Sequence, residues 1–198
     1  MITDSHLRFA GSVAALACVA AFALALTPPA HAAEKDSSKV ARGKYLVSTS
    51  GCHDCHTPFR MGPNGPEPDM SRMLSGHPEG LQMPPVPALP QGPWLVVSSA
   101  TNTAHAGPWG VSFTANLTPD VETGLGQWSF NDFRNTIRTG RHMGRGRAVL
   151  PPMPIPVYNN FSDRDLAAVF AYLRTIPAVK NRVPEPWAPA ATTMATSK

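Results

Sequence analysis

Apolar residues recur at helical spacing in three stretches of this chain. Val40, Gly43 and Val47, with Leu46 beside them, mark one face of a helix over Ser37–Thr49. Phe133 and Ile137 mark a second helix. Ser129 is placed to cap its start, with Asp132 three residues on, and Gly140 stands where a C′ glycine belongs. Trp128 and Phe133 occupy the two positions of a hydrophobic staple. Leu166, Val169, Phe170 and Leu173 mark a third, opened by Ser162-Asp163-Arg164-Asp165 and ended by Pro177. Gly43 costs its helix about 1 kcal/mol against Ala, and close approach of a second helix would return that cost. The pattern predicts an all-α fold of three or more helices. A fourth apolar stretch, Phe9–Leu26, is an unbroken run of 18 residues after His6 and Arg8, followed by Ala30-His31-Ala32. It reads as a signal segment, residues 1–32, cleaved after Ala32. At that length an uncleaved anchor is the alternative.

Composition narrows the picture. Pro numbers 22 of 198 and charged residues are 15% against a usual ~25%, which excludes a coiled coil and a long helical bundle. The hydrophobic share, 42%, excludes wholesale disorder. A net charge of +4 is too mild to require nucleic acid. Ten Pro and five Gly between Pro58 and Pro93 rule out a regular helix or a central strand there. That stretch reads as a loop insertion in a domain over 33–183: a surface segment, a lid or a docking surface. The tail, 184–198, reads as disordered. Five Arg fall within residues 134–147. They read as partners for acidic groups of a cofactor, as a steering patch for an acidic protein, or as a solvated loop.

Beyond the signal segment, which holds Cys18, only two cysteines remain, in Cys52-His53-Asp54-Cys55-His56. C-x-x-C-H is the attachment signature of a c-type haem. Thiols three residues apart reach the two vinyl groups of one porphyrin, and the following His is held where its imidazole meets the iron. The competing readings are weaker. A thioredoxin-like pair needs a βαβ context, and zinc needs a second ligand pair, whereas His77, His105 and His142 are scattered. A disulfide over so small a loop gains little. One covalent haem c, with its iron, is therefore the expected cofactor, bound by Cys52 and Cys55 with His56 as one axial ligand. For the other axial position Met153 is the first candidate. Pro152 and Pro154 stiffen the chain on both sides of it, so sulfur can be presented at little ordering cost. Met83, a His ligand, or an open iron are the alternatives.

Gly43-Lys44-Tyr45-Leu46 with Cys52–His56 resembles a class I cytochrome c. Ala115-Asn116-Leu117-Thr118-Pro119-Asp120, Thr123-Gly124-Leu125-Gly126-Gln127-Trp128, Phe133, Pro152-Met153-Pro154, Tyr158 and Asp165 with Ala171-Tyr172-Leu173 resemble one domain of the multihaem cytochrome subunits of periplasmic alcohol and sugar dehydrogenases. The resemblance covers roughly residues 40–180. It implies a cytochrome c fold, His56 and Met153 as axial ligands, and one-electron transfer without substrate chemistry of the chain's own. One departure is that those subunits carry several haem motifs and this chain carries one. The implied setting is a periplasmic respiratory or dehydrogenase-linked chain. The implied partners are redox proteins, a dehydrogenase as donor and an oxidase or another cytochrome as acceptor, with membrane association through the N-terminus as an option. A subunit of a dehydrogenase complex and an open-iron haem enzyme or sensor are the rival functions.

Overall fold

The computed structural model describes residues 30–87 and 93–189. The apolar run Phe9–Leu26 and residues 190–198 lie outside the described residues, and so does most of the predicted signal segment. No helix among the described residues is long and apolar enough to cross a membrane. The chain divides into two units after Ser38, and the larger of them, which holds every site residue named above, begins at Lys39.

Among the described residues the α-helices are α1 (Ala30–Thr49), α2 (Cys52–His56), α3 (Phe130–Thr139), α4 (Ile155–Tyr158) and α5 (Asp163–Leu173). Their ends follow the local chemistry. The Ser129 hydroxyl accepts from the Asp132 amide at 3.2 Å while the Ser129 amide donates to the Asp132 carboxylate at 3.1 Å, a reciprocal capping box. Gly140 closes α3 with φ 63°, and Ser162 caps α5 through the Asp165 amide. Leu46, Val47, Phe133, Ile137, Leu166, Val169 and Leu173 from these helices meet in one core with Leu74, Leu125 and Ile176.

The crossing of α1 and α5 falls at Gly43, where a Cβ would overlap the Ala168 carbonyl and stand 2.8 Å from Tyr172 Cβ. Close helix approach is therefore why glycine occupies a helix interior. Gly43→Ala should lower the melting temperature. Overpacking costs about 1–3 kcal/mol, more than the ~1 kcal/mol of helix propensity gained. A thermal unfolding scan reads the sign, and a rise in melting temperature would contradict the crossing.

The fold is not all-α. Among the described residues the helices are joined by two antiparallel sheets, one of two strands and one of three. Strand β1 (Phe59–Gly62) pairs with β2 (Gly65–Pro68), from Phe59 opposite Pro68 to Gly62 opposite Gly65. A two-stranded ribbon has only edges, so Pro66 and Pro68 cost it no interior ladder bond. Strand β3 (Val97–Ser98) pairs with β4 (Ala104–Gly107), which pairs with β5 (Gly110–Phe113). The β4–β5 turn is Pro108-Trp109, and Gly110 leaves it with φ 94°. Strands of two to four residues, bounded by Gly and Pro, show too few alternations to stand out against helical stripes.

The Pro/Gly-rich stretch is also more than a surface feature. Leu74, Ser75 and His77 are fully buried. The Leu74 amide donates to the Thr57 hydroxyl at 3.0 Å, Gly76 N–H to the His56 carbonyl at 2.8 Å, and His77 N–H to the Thr114 carbonyl at 2.9 Å. This segment is therefore knitted between α2 and the end of β5. Asn181 holds it from the other side. Its amide donates to the Ser75 and His77 carbonyls at 2.7 and 2.8 Å, and its side-chain oxygen accepts from the Glu79 amide at 2.9 Å. Past Val183 the chain pairs with β5: Val111 and Trp187 exchange amide-to-carbonyl bonds at 3.0 and 2.9 Å.

Candidate functional site

A cavity of about 590 Å³ opens among α2, α3, α4, α5 and the segment after β5. That lies within the ~300–1,000 Å³ of pockets that enclose a small molecule. Cys52, Cys55, His56 and Met153 all line it, although about a hundred residues separate the first three from the last. Apolar walls come from Leu46, Val47, Leu117, Leu125, Ile137, Val169 and Leu173.

Helix α2 is one and a half turns, so Cys52 and Cys55, at i and i+3, share a face. Gly51, at φ 73°, turns the chain into it from the end of α1. His56 ends the helix with 8% of its surface exposed. Its Nδ1 lies 2.7 Å from the Ala115 carbonyl. A carbonyl only accepts, so Nδ1 carries the hydrogen and Nε2 keeps its lone pair. Burial lowers the His56 pKa, with the Ala115 bond opposing, which favours the neutral ring that donates to a metal. Burial pushes the Cys52 thiol up to about 11, against the Tyr158 hydroxyl beside it, and raises Cys55 as well. Both are neutral thiols at pH 7 in this pocket. Two thiols on one face, a neutral imidazole with a free Nε2, and an apolar slot with a thioether wall fit a covalently attached haem.

Of the alternatives for the second axial position, Met83 packs with Ala104, Val111 and Phe113 rather than at the cavity. Met61 and Met70 are exposed. His77 is bonded through Nδ1 to the Thr103 hydroxyl and His105 to that of Ser98, both at about 3 Å, and neither lines the cavity. His142 does line it, with its ring edge-on to Trp128 at 4.9 Å. Met153 packs onto the main core and precedes α4, where the Ile155 amide donates to its carbonyl at 2.8 Å.

Several site features were not visible in the sequence. Tyr158 donates its hydroxyl to the Ser50 carbonyl at 2.6 Å, tying α4 to the chain just before α2. Ser112, on β5, lines the cavity and donates to the Pro151 carbonyl at 2.6 Å. Among described residues, nothing from the Pro-rich insertion lines the cavity, so it stands behind His56 rather than over the opening.

Four of the five cluster arginines form ion pairs within the molecule, two of them sharing one carboxylate. Arg134 and Arg138 pair with Asp163 at 3.5 and 2.7 Å, Arg145 with Asp132 at 3.5 Å, and Arg147 with Glu185 at 3.4 Å. Arg147 and Arg182 line the cavity. Association rates with an acidic protein should therefore fall only gently with salt, because paired surface charges project little field. Stopped-flow rates across ionic strength read this, and a steep decline would restore the cluster as a steering patch.

No family model matches the chain. Among curated proteins it is 40% identical over 139 residues to the gluconate 2-dehydrogenase cytochrome c subunit of Pantoea cypripedii, covering 70% of this chain and 23% of that one. It is 27% identical over 161 residues to the cytochrome c subunit of the quinone alcohol dehydrogenase of Gluconobacter oxydans, covering 79% and 26%. The fructose dehydrogenase cytochrome subunit of Gluconobacter japonicus is 25% identical over 154 residues, 75% of this chain and 24% of that one. The chain thus spans about a quarter of the length of these relatives. Over the matched stretch the chain resembles a c-type cytochrome domain of these electron-transferring subunits. It is related to the cytochrome c subunits of quinone alcohol, gluconate and fructose dehydrogenases.

Proposed function

We propose that this chain is an exported cytochrome with a single haem c, held covalently by Cys52 and Cys55 and ligated by His56 and Met153, that relays single electrons from a dehydrogenase to a downstream acceptor. The observation that carries the reading is the convergence of these four side chains on one apolar cavity. Bound there, the haem supplies a reversible one-electron couple. The chain's own part is to hold the ring and set its surroundings. Ala115 fixes the His56 tautomer, the apolar walls keep water away, and the soft Met153 sulfur favours the ferrous state. A ligand set complete in both oxidation states suits a carrier rather than a catalyst.

The donor is read from the relatives, whose names are those of dehydrogenase subunits. Residues 1–32 direct export to the periplasm, and the haem domain runs from 33 past 183, since Pro184, Glu185 and Pro186 line the cavity and Trp187 pairs with β5. The test is an optical and magnetic spectrum of the purified holoprotein together with its intact mass. One haem per chain, low-spin His/Met ligation and a chain starting near Ala33 are expected. A high-spin ferric iron would favour an open-iron enzyme or sensor instead.

A further inference from the structure

The methionine segment does not hold its place by its own prolines alone. Residues Pro151, Pro152 and Pro154 stand exposed around Met153, and three prolines in four positions leave few amides to bond with. The contact made from the other side comes from β5. Ser112 is 8% exposed, and its hydroxyl lies 2.6 Å from the Pro151 carbonyl, two residues before Met153. The His105 carbonyl also lies within reach, at 3.3 Å. A hydroxyl has one hydrogen, and the shorter, better contact takes it.

Strand β5 is itself anchored on both flanks. It pairs with β4 along its length, and the Val111–Trp187 exchange secures its other edge. Ser112 is therefore a donor on a rigid support, aimed at a segment that lacks a ladder of its own.

We infer that Ser112 is a positioning residue for the distal ligand: its hydrogen bond to Pro151 holds the Met153 segment against the cavity and slows departure of the sulfur from the iron. The inference rests on Met153 as the axial ligand proposed above. Ser112 touches neither the iron nor the sulfur in this role. It acts through the Pro151 carbonyl.

The experiment is a titration of the ferric holoprotein with imidazole, which binds only when the sulfur has left. The far-red sulfur–iron band is followed alongside, with thermal unfolding as a separate readout. Ser112→Ala should raise imidazole affinity about three- to tenfold, the range that one neutral hydrogen bond commands. Ser112→Thr, which keeps the hydroxyl, should return it to the parent value. In a Met153→Ala background, Ser112→Ala should change imidazole affinity no further. A drop in melting temperature with unchanged imidazole affinity would overturn the inference, since that is what a merely structural serine gives. An equal rise with and without Met153 would also overturn it. If Met153→Ala leaves the far-red band intact, the ligand assignment itself falls, and that outcome is distinct from the other two.

Discussion

Met153→Ala is expected to abolish the far-red sulfur–iron band, lower the reduction potential, and let CO bind the ferrous protein. The sequence places Met153 between two prolines, which pre-set the backbone and reduce the entropy lost when sulfur is presented. The structure puts the side chain on the same cavity as His56 and puts Met83 elsewhere. Thioether sulfur is a soft ligand that stabilises ferrous iron more than ferric, so removing it favours oxidation. The fall should be on the order of 100 mV, a fraction of the ~0.8 V that axial ligation spans. Met153→His should keep six ligands and still lower the potential. Met83→Ala should leave band and potential unchanged. Loss of the band in Met83→Ala, with Met153→Ala silent, would reverse the assignment. His142 is the control among cavity-lining residues, and His142→Ala should leave the band in place.

The second large effect concerns attachment. Cys52→Ala combined with Cys55→Ala is expected to yield a chain with no covalent haem and without a stable fold. Emptying the pocket leaves Leu46, Val47, Leu117, Leu125, Ile137, Val169 and Leu173 without a packing partner on that side. Small domains hold only ~5–15 kcal/mol in total. Water entering the mouth can solvate the polar rim, which includes Asp54, Glu122 and Arg147, but the Leu, Val and Ile walls gain nothing from it. The apolar faces of α1, α3 and α5 meet in one core and also line the cavity, so a bound ring would share their burial. Intact mass should show the bare polypeptide, and circular dichroism should show lost helix and an unfolding transition without cooperativity. A cooperative, native-like apoprotein would mean that the core in Leu46, Ile137 and Leu173 suffices without the haem.

What could be read in the sequence was local. The Ser129 capping box, the Gly140 cap and the Ser162 cap each depend on residues within a few positions, and C-x-x-C-H is complete in five. Gly43 was legible as a contact because a glycine in a helix interior asks for a neighbour, although not which one. The hairpins escaped because their periodicity is too brief. In β5, Val111 and Phe113 alternate with Ser112, but over four residues only. The depth of Leu74–His77 escaped for a different reason: composition said loop, and burial was decided by Asn181, Thr57 and Thr114, which lie far off in the chain. The Arg cluster was legible as charge and illegible as partnership, because Asp163 and Glu185 reach it only after folding.

Asn181 has a bearing on the order in which the molecule is built. Its bonds to Ser75, His77 and Glu79 span separations of 102 to 106 residues, whereas Arg138 reaches Asp163 across only 25. Closing the longer loop costs more chain entropy and returns nothing until both ends meet. The α3–α5 pairing is accordingly the early event and the Asn181 clasp a late one. Until it closes, the stretch that backs His56 is held only by its bonds to Thr57, His56 and Thr114. Asn181→Ala should therefore speed unfolding of the holoprotein far more than it slows refolding, read by stopped-flow dilution into and out of denaturant, while leaving the iron's ligands as they were.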